Sequence, residues 1–181
     1  MKKLNQKRLY DIKQFIPSII VNLKYATTDN LTWKKLYDDS TCYLHEIVIN
    51  SLIDVQNELS KKWLGLKIRD WYRPQSVQDI LVKHVNNKEF TPSVSNHSKG
   101  VAVDVTLIYL QTGEEMHMPT EFDNLSKNAY PTYSDLSEEV IMNRDLLIWL
   151  MESHWFKVYP HERWHFDYVE LLDLEPLDIK I

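Results

Sequence analysis

The stretch Ser95-Asn96-His97-Ser98-Lys99-Gly100-Val101-Ala102-Val103-Asp104 sets a histidine and an aspartate seven positions apart, with one of the chain's three glycines between them. After Gly100 the residues alternate. Successive side chains of a strand point to opposite faces, so Val101, Val103, Val105 and Leu107 fall on one face and Ala102, Asp104 and Thr106 on the other. The valine face reads as core. The opposite face is small and polar and carries a carboxylate, which reads as the floor of a site. What His97 and Asp104 face is a question for the rest of the chain.

Outward from this stretch, the 181 residues suffice for one domain with a sizeable core, and we expect a single domain over 1–181. Hydrophobic content of 44% with 26% charged residues fits a globular protein rather than a disordered one. The net charge is −5 and no basic stripe with interleaved aromatics is present, which argues against a nucleic-acid partner. Cys42 is the one cysteine, so an intrachain disulfide and a thiolate zinc cluster are excluded. Near His45 it reads as a small buried side chain rather than a nucleophile. Met1-Lys2-Lys3 resembles the start of a signal peptide, but Asn5, Gln6, Lys7, Arg8 and Asp11 break the apolar region such a peptide needs. No stretch approaches the roughly 20 apolar residues of a membrane span. The expectation is a soluble cytoplasmic protein that takes no membrane partner; oligomeric state is open.

Residues 1–40 read as an irregular arm with one or two short strands. Ile47, Ile49, Leu52, Ile53, Val55, Leu59 and Trp63 recur at helical steps, which predicts a helix over 44–63 with Gly65 as its C-cap. Leu66 to Tyr72 reads as a strand, and Pro74 opens a helix over 75–85 from its first position. Residues 86–98 form a polar loop. A strand follows from Val101 to about Leu110, with Glu115 to Met118 pairing back as a hairpin. Residues 119–136 form a long loop of the kind that often carries function. Ser137 begins a third helix that ends near His154. Val158-Tyr159-Pro160 is a turn or short strand, Arg163 to Val169 alternates as a strand, and the acidic tail wraps the surface. Helices mixed with hairpin strands predict an α+β domain: a central antiparallel sheet with helices packed on it.

His97 and Asp104 are two candidate ligands for a metal whose catalytic sites take three protein ligands from His, Asp and Glu. Six histidines remain. His45 and His84 fall in helical patterns, His117 follows a hairpin turn, His154 ends a helix and His161 lies in a turn. His165 sits in a strand-like aromatic run, three positions after Glu162. Metal-assisted hydrolysis needs such a pair, the imidazole to hold the metal and the carboxylate to take a proton from water. Strict alternation would put Glu162 and His165 on opposite faces, so the chain must bend or bulge near Glu162.

Ser95-x-His97-x-x-Gly100-x-Ala102-x-Asp104, followed by Glu162-x-x-His165, resembles the signature of the D-alanyl-D-alanine metallopeptidases. These include the vancomycin-resistance D-Ala-D-Ala dipeptidases and related D,D-carboxypeptidases, and the hedgehog fold shares their zinc site. Tyr72-Arg73-Pro74 and Asn22-Leu23-Lys24-Tyr25-Ala26-Thr27 with Asn30 resemble segments of the dipeptidase branch. The resemblance implies one Zn2+ per chain on His97, Asp104 and His165, with Glu162 as general base. It implies Arg73 at the developing oxyanion, where a permanently charged planar donor suits the task. Met118-Pro119-Thr120-Glu121-Phe122-Asp123 resembles the loop whose aspartate binds the substrate's free amino group, so Asp123 takes that role. Ser95 and Tyr25 are candidates for holding the ends of the dipeptide; taken alone, Ser95 also reads as a turn cap. Arg163 stands where the dipeptidases usually carry the first tryptophan of Glu-Trp-Trp-His.

The implied activity is zinc-dependent hydrolysis of D-Ala-D-Ala to free D-alanine. A D,D-carboxypeptidase acting on peptidoglycan stem peptides would use the same zinc in an open groove. A zinc-stabilised binding module without turnover is the non-enzymatic alternative, against which Glu162 and Arg73 both speak.

Overall fold

The computed structural model describes residues 9–181, so the signal-peptide reading of residues 1–8 lies outside the described residues. Seven strands and three α-helices follow in order: β1 Leu9–Asp11, β2 Ile20–Val21, β3 Tyr43–His45, α1 Glu46–Ser60, β4 Leu64–Asp70, α2 Gln75–Val85, β5 Ala102–Tyr109, α3 Glu138–Ser153, β6 Phe156–Tyr159 and β7 Glu162–Tyr168. The architecture is α+β, as expected. Five strands form one sheet in the order β2-β4-β5-β7-β6, and β1 pairs with β3 in a separate ribbon. The sheet is antiparallel except at its edge, where the two-residue β2 runs parallel to β4, so it is mixed rather than wholly antiparallel. Among the described residues no helix is long and apolar enough to cross a membrane.

β5 is central, and all its residues except Tyr109 are buried. Val103, Val105 and Leu107 enter the main hydrophobic core with Leu66 and Ile68 of β4 and Phe166 of β7. Helix α1 covers that core with Val48, Ile49, Leu52, Val55 and Leu59. It is shorter than its hydrophobic period suggests. His45 caps it by accepting from Ile47 N, and Lys61, not Gly65, ends it. Trp63 leaves the apolar stripe altogether, exposed in a turn at φ +61°. Gly65 lies in β4, where an added Cβ would come within 2.7 Å of Leu110 and 3.0 Å of Gln56. Its requirement is close packing, not a helix cap. Pro74 is the capping residue just before α2 rather than its first helical residue.

Two irregularities aim the site. Between β4 and β5, Ile68 faces Val105 and Asp70 faces Asp104, which leaves Arg69 as an extra residue. Between β6 and β7, Val158 faces Phe166 while Tyr159 faces Glu162, so β7 bulges over Arg163–His165. This is the bend that Glu162 and His165 require. The expected hairpin at Glu115–Met118 reduces to one bridge, Ile108 to Glu115. Helix α3 begins at Ser137, whose Oγ accepts from Val140 N. Its buried face includes Asn143 and Arg144, which donate to the carbonyls of His117 and Tyr133 and so pin both ends of the long loop. The tail folds back as expected: Leu177 bonds Gln75 and Ser98, and Ile179 bonds Tyr72.

Candidate metal centre

His97 comes from a short 3-10 turn, Asn96–Lys99, that Gly100 closes at φ +71°. Only a residue free to adopt the left-handed region turns the chain there without strain. Asp104 projects from β5, directly opposite His165 of β7 in the antiparallel register. Directly opposed residues share a face, so the pairing itself brings the carboxylate and the imidazole together. His97 Nε2 lies 3.0 Å from His165 Nδ1. Asp104 Oδ1 lies 3.3 Å from the first and 3.1 Å from the second.

The outer partners fix the state of both rings. His97 Nδ1 lies 2.6 Å from the Trp71 carbonyl, which only accepts, so that nitrogen donates. His165 Nε2 lies 2.9 Å from Asp167 Oδ1, so it donates as well. In its neutral form each ring therefore turns a bare nitrogen inward. Asp104 Oδ1 is buried and makes no hydrogen bond of proper geometry. With both rings neutral, three acceptors converge with no donor among them, an arrangement that a cation relieves. These are the atoms of a candidate metal site, and two nitrogens with one carboxylate oxygen suit zinc. Burial opposes charge on Asp104, but His97 and His165 outweigh it and hold its carboxyl low. Burial likewise opposes a charged His165, and Asp167 and Asp104 outweigh it. The site attracts positive charge.

The same cavity, about 620 Å³ between atoms with its mouth included, is lined by every site residue expected from the sequence: Tyr25, Arg73, Ser95, His97, Asp104, Asp123, Glu162 and His165. Glu162 Oε2 lies 3.9 Å from His165 Nδ1. Burial pushes its carboxyl up to about 8, against the pull of His165. Arg73 is buried. Its Nε and Nη2 donate to Asp70, its Nη1 donates to Gln78 Oε1 at 2.6 Å, and it lies 5.3 Å from the Tyr25 ring centre. Burial disfavours its charge, but Asp70 outweighs this and keeps it protonated. Tyr25 donates to Asp123 Oδ2 at 3.0 Å. Burial, helped by the charges of Asp104 and Glu162, raises the Asp123 carboxyl well above its ordinary range. Asp123 itself adopts φ +62°. Ser95 Oγ accepts from His97 N at 3.3 Å, the turn-cap role.

The other histidines stay apart. His45 caps α1, His117 faces Glu139, and His154 bonds Glu58. Cys42 is buried, and burial pushes its thiol up, in keeping with a small buried side chain. Sequence reasoning missed Asp70, Gln78, Asp167 and the Trp71 carbonyl. Asp167 alone left a signal, since alternation places it on the face of His165.

A family model described as D-ala-D-ala dipeptidase matches residues 5–175. Over 162 residues the chain is 32% identical to the D-alanyl-D-alanine dipeptidase of Escherichia coli (strain K12), covering 88% of this chain and 83% of that protein. Over 170 residues it is 28% identical to the D-alanyl-D-alanine dipeptidase of Enterococcus faecalis (strain ATCC 700802 / V583), covering 81% and 84%. Among solved structures, a mutant of the vancomycin resistance D,D-pentapeptidase VanY in complex with Zn(II) overlaps with a TM-score of 0.43 at 15% identity, covering 75% of this chain and 78% of that one.

Proposed function

Because the chain belongs to the D-Ala-D-Ala dipeptidase family of metallopeptidases, we propose that it hydrolyses the dipeptide D-Ala-D-Ala to two molecules of D-alanine, using one zinc ion held by His97, Asp104 and His165. The observation that carries this reading is the convergence of those three acceptors with Glu162 and Arg73 in one cavity. When bound, zinc supplies Lewis acidity, which polarises a carbonyl and makes water nucleophilic near neutral pH.

The chain's own residues supply the rest. Glu162 is the general base. It takes a proton from the attacking water as the new C–O bond forms at the peptide carbonyl. It returns that proton to the amide nitrogen as the C–N bond breaks, so that both products leave as amino acids. Arg73 stabilises the negative charge growing on the carbonyl oxygen. Three of its nitrogens are committed to Asp70 and Gln78. They hold the guanidinium still, while N–H groups remain on Nη1 and Nη2 for the substrate. Asp123, oriented by Tyr25, binds the free amino group of the first residue. Ser95 and Tyr25 border the two ends of the dipeptide.

The test is release of D-alanine by the zinc-loaded protein from D-Ala-D-Ala and from its N-acetyl form. Rapid release from the free dipeptide alone is expected. Equal turnover of both substrates would point instead to a D,D-carboxypeptidase, and no release from either at full zinc loading would remove the enzymatic reading.

A further inference from the structure

Arg163 takes no part in the chemistry above, yet the fold buries it to 4% exposure. It lies on β7 between Glu162 and Trp164, inside the bulge. A buried guanidinium is costly unless something holds it. Here its Nη2 donates to the backbone carbonyl of Thr120 and its Cζ sits 5.4 Å from the Trp164 ring centre, while Nε and Nη1 are buried without hydrogen-bond partners. Trp164 in turn meets Phe122 edge to face, with ring centroids 5.6 Å apart. Arg163 and its neighbour thus grip two residues of the segment 119–123 from the strand that carries Glu162.

That segment lies outside every helix and strand, and it ends on Asp123 in the left-handed region. A non-glycine residue in that region persists only when its surroundings over-determine it. Asp123 and Leu31 line the catalytic cavity and also a second cavity, whose other walls include Lys24, Asn30, Trp33 and Phe122. The grip of Arg163 on Thr120 therefore fixes a partition between two spaces. Asp123 thus borders both spaces.

We propose that Arg163 is a positioning residue that determines specificity: it holds the segment 119–123 against β7, keeps Asp123 closed between the two cavities, and so restricts the substrate to dipeptides with a free amino group. This rests on Asp123 being the amine anchor of the proposed function. A group that accepts a substrate N–H discriminates strongly against analogues that cannot supply it, provided the group is held in place.

The test compares kcat and KM for D-Ala-D-Ala and N-acetyl-D-Ala-D-Ala in zinc-loaded wild type, Arg163→Gln, Arg163→Lys, Phe122→Leu and Asp123→Ala. Arg163→Gln is expected to raise the preference for the acetylated over the free dipeptide about tenfold, mainly through a higher KM for the free dipeptide, with kcat and zinc content little changed. Arg163→Lys, which still donates to Thr120 but does not stack on Trp164, should restore part of the preference. Phe122→Leu loosens the segment from its other contact and should shift the ratio in the same direction, which keeps the test decisive if Arg163→Gln melts early. An unchanged ratio in the Arg163 and Phe122 variants, while Asp123→Ala shifts it, overturns the role of Arg163 alone. If Asp123→Ala shifts neither ratio nor KM, the amine-anchor reading fails and this inference with it.

Discussion

Glu162 and His165 are three positions apart on one strand, and the proposed function gives them different work. The neutral ring of His165 presents Nδ1 to the site because its Nε2 donates to Asp167. Glu162 stays outside the ligand triangle, 3.9 Å from that nitrogen. Substitutions should separate the roles. Glu162→Gln is expected to retain zinc and lose about 10²- to 10⁴-fold in kcat, the usual worth of a positioned base. His165→Ala is expected to lose zinc itself, and metal content measured beside turnover distinguishes the two. Asp167→Ala removes the partner that orients His165, and zinc affinity measured by competition with a chelator should fall about 10- to 100-fold. Retention of full affinity would mean that the His165 tautomer is set by something other than Asp167.

At the scale of elements, the turn before β5 is the joint on which the site depends. Gly100 N donates to the His97 carbonyl at 2.9 Å, and the glycine closes the turn at φ +71°. An alanine there would set its Cβ 2.5 Å from the end of the Leu9 side chain. That side chain is flexible and gives way; the backbone strain does not. Gly100→Ala should therefore cost about 1–3 kcal/mol of stability, read as a lower Tm on the order of 2–4 °C per kcal/mol for a chain of this size. Because His97 sits inside the strained turn, zinc affinity should fall in the same variant. A lower Tm with unchanged affinity would show that the turn supports the fold but does not place His97. The bulge in β7 is the second such element. Without it, Trp164 would share the core face with Phe166 and Tyr168; with it, Trp164 lines the cavity and Glu162 reaches the site.

Across the whole molecule, polar clamps tie the loops to the sheet. Glu115, just beyond the β5 turn, bonds Lys67 and Arg69 of β4. Burial raises its carboxyl, but hydrogen bonds and charge from these two cations outweigh it and leave it below its usual value of 4.5. The sign follows from linkage. A carboxylate whose proton affinity is lower in the folded state adds stability above its unfolded pKa, and that stability is lost as pH falls through the folded value. The protein should therefore lose stability as pH drops below 4.5, and Glu115→Gln should flatten this part of the curve when Tm is followed against pH. The tail is a second clamp, running back over Tyr72, Gln75 and Ser98, next to the residues that carry Arg73 and His97.

The sequence by itself determined the local chemistry. Alternation after Gly100 set Asp104 on a small polar face, and the spacing of Glu162 and His165 demanded a bend that the β7 bulge supplies. The helix over 75–85, the start of the third helix at Ser137 and the α+β class were likewise legible, because caps and periodicity are written in neighbouring residues. The motifs also named the residues that the fold gathers into one cavity. Only the tertiary structure decided how the residues meet. The register that sets Asp104 opposite His165 depends on strands some sixty positions apart, and nothing local encodes it. The same holds for the grip of Asp70 and Gln78 on Arg73, and for the Trp71 carbonyl behind His97. Gly65 and Trp63 show the converse. Their sequence context reads as a helix end, but close packing against Leu110 and Gln56 places Gly65 in a strand and leaves Trp63 in solvent. Short-range preferences fix what an element is; the burial it finds among distant partners fixes where it ends and what its side chains face.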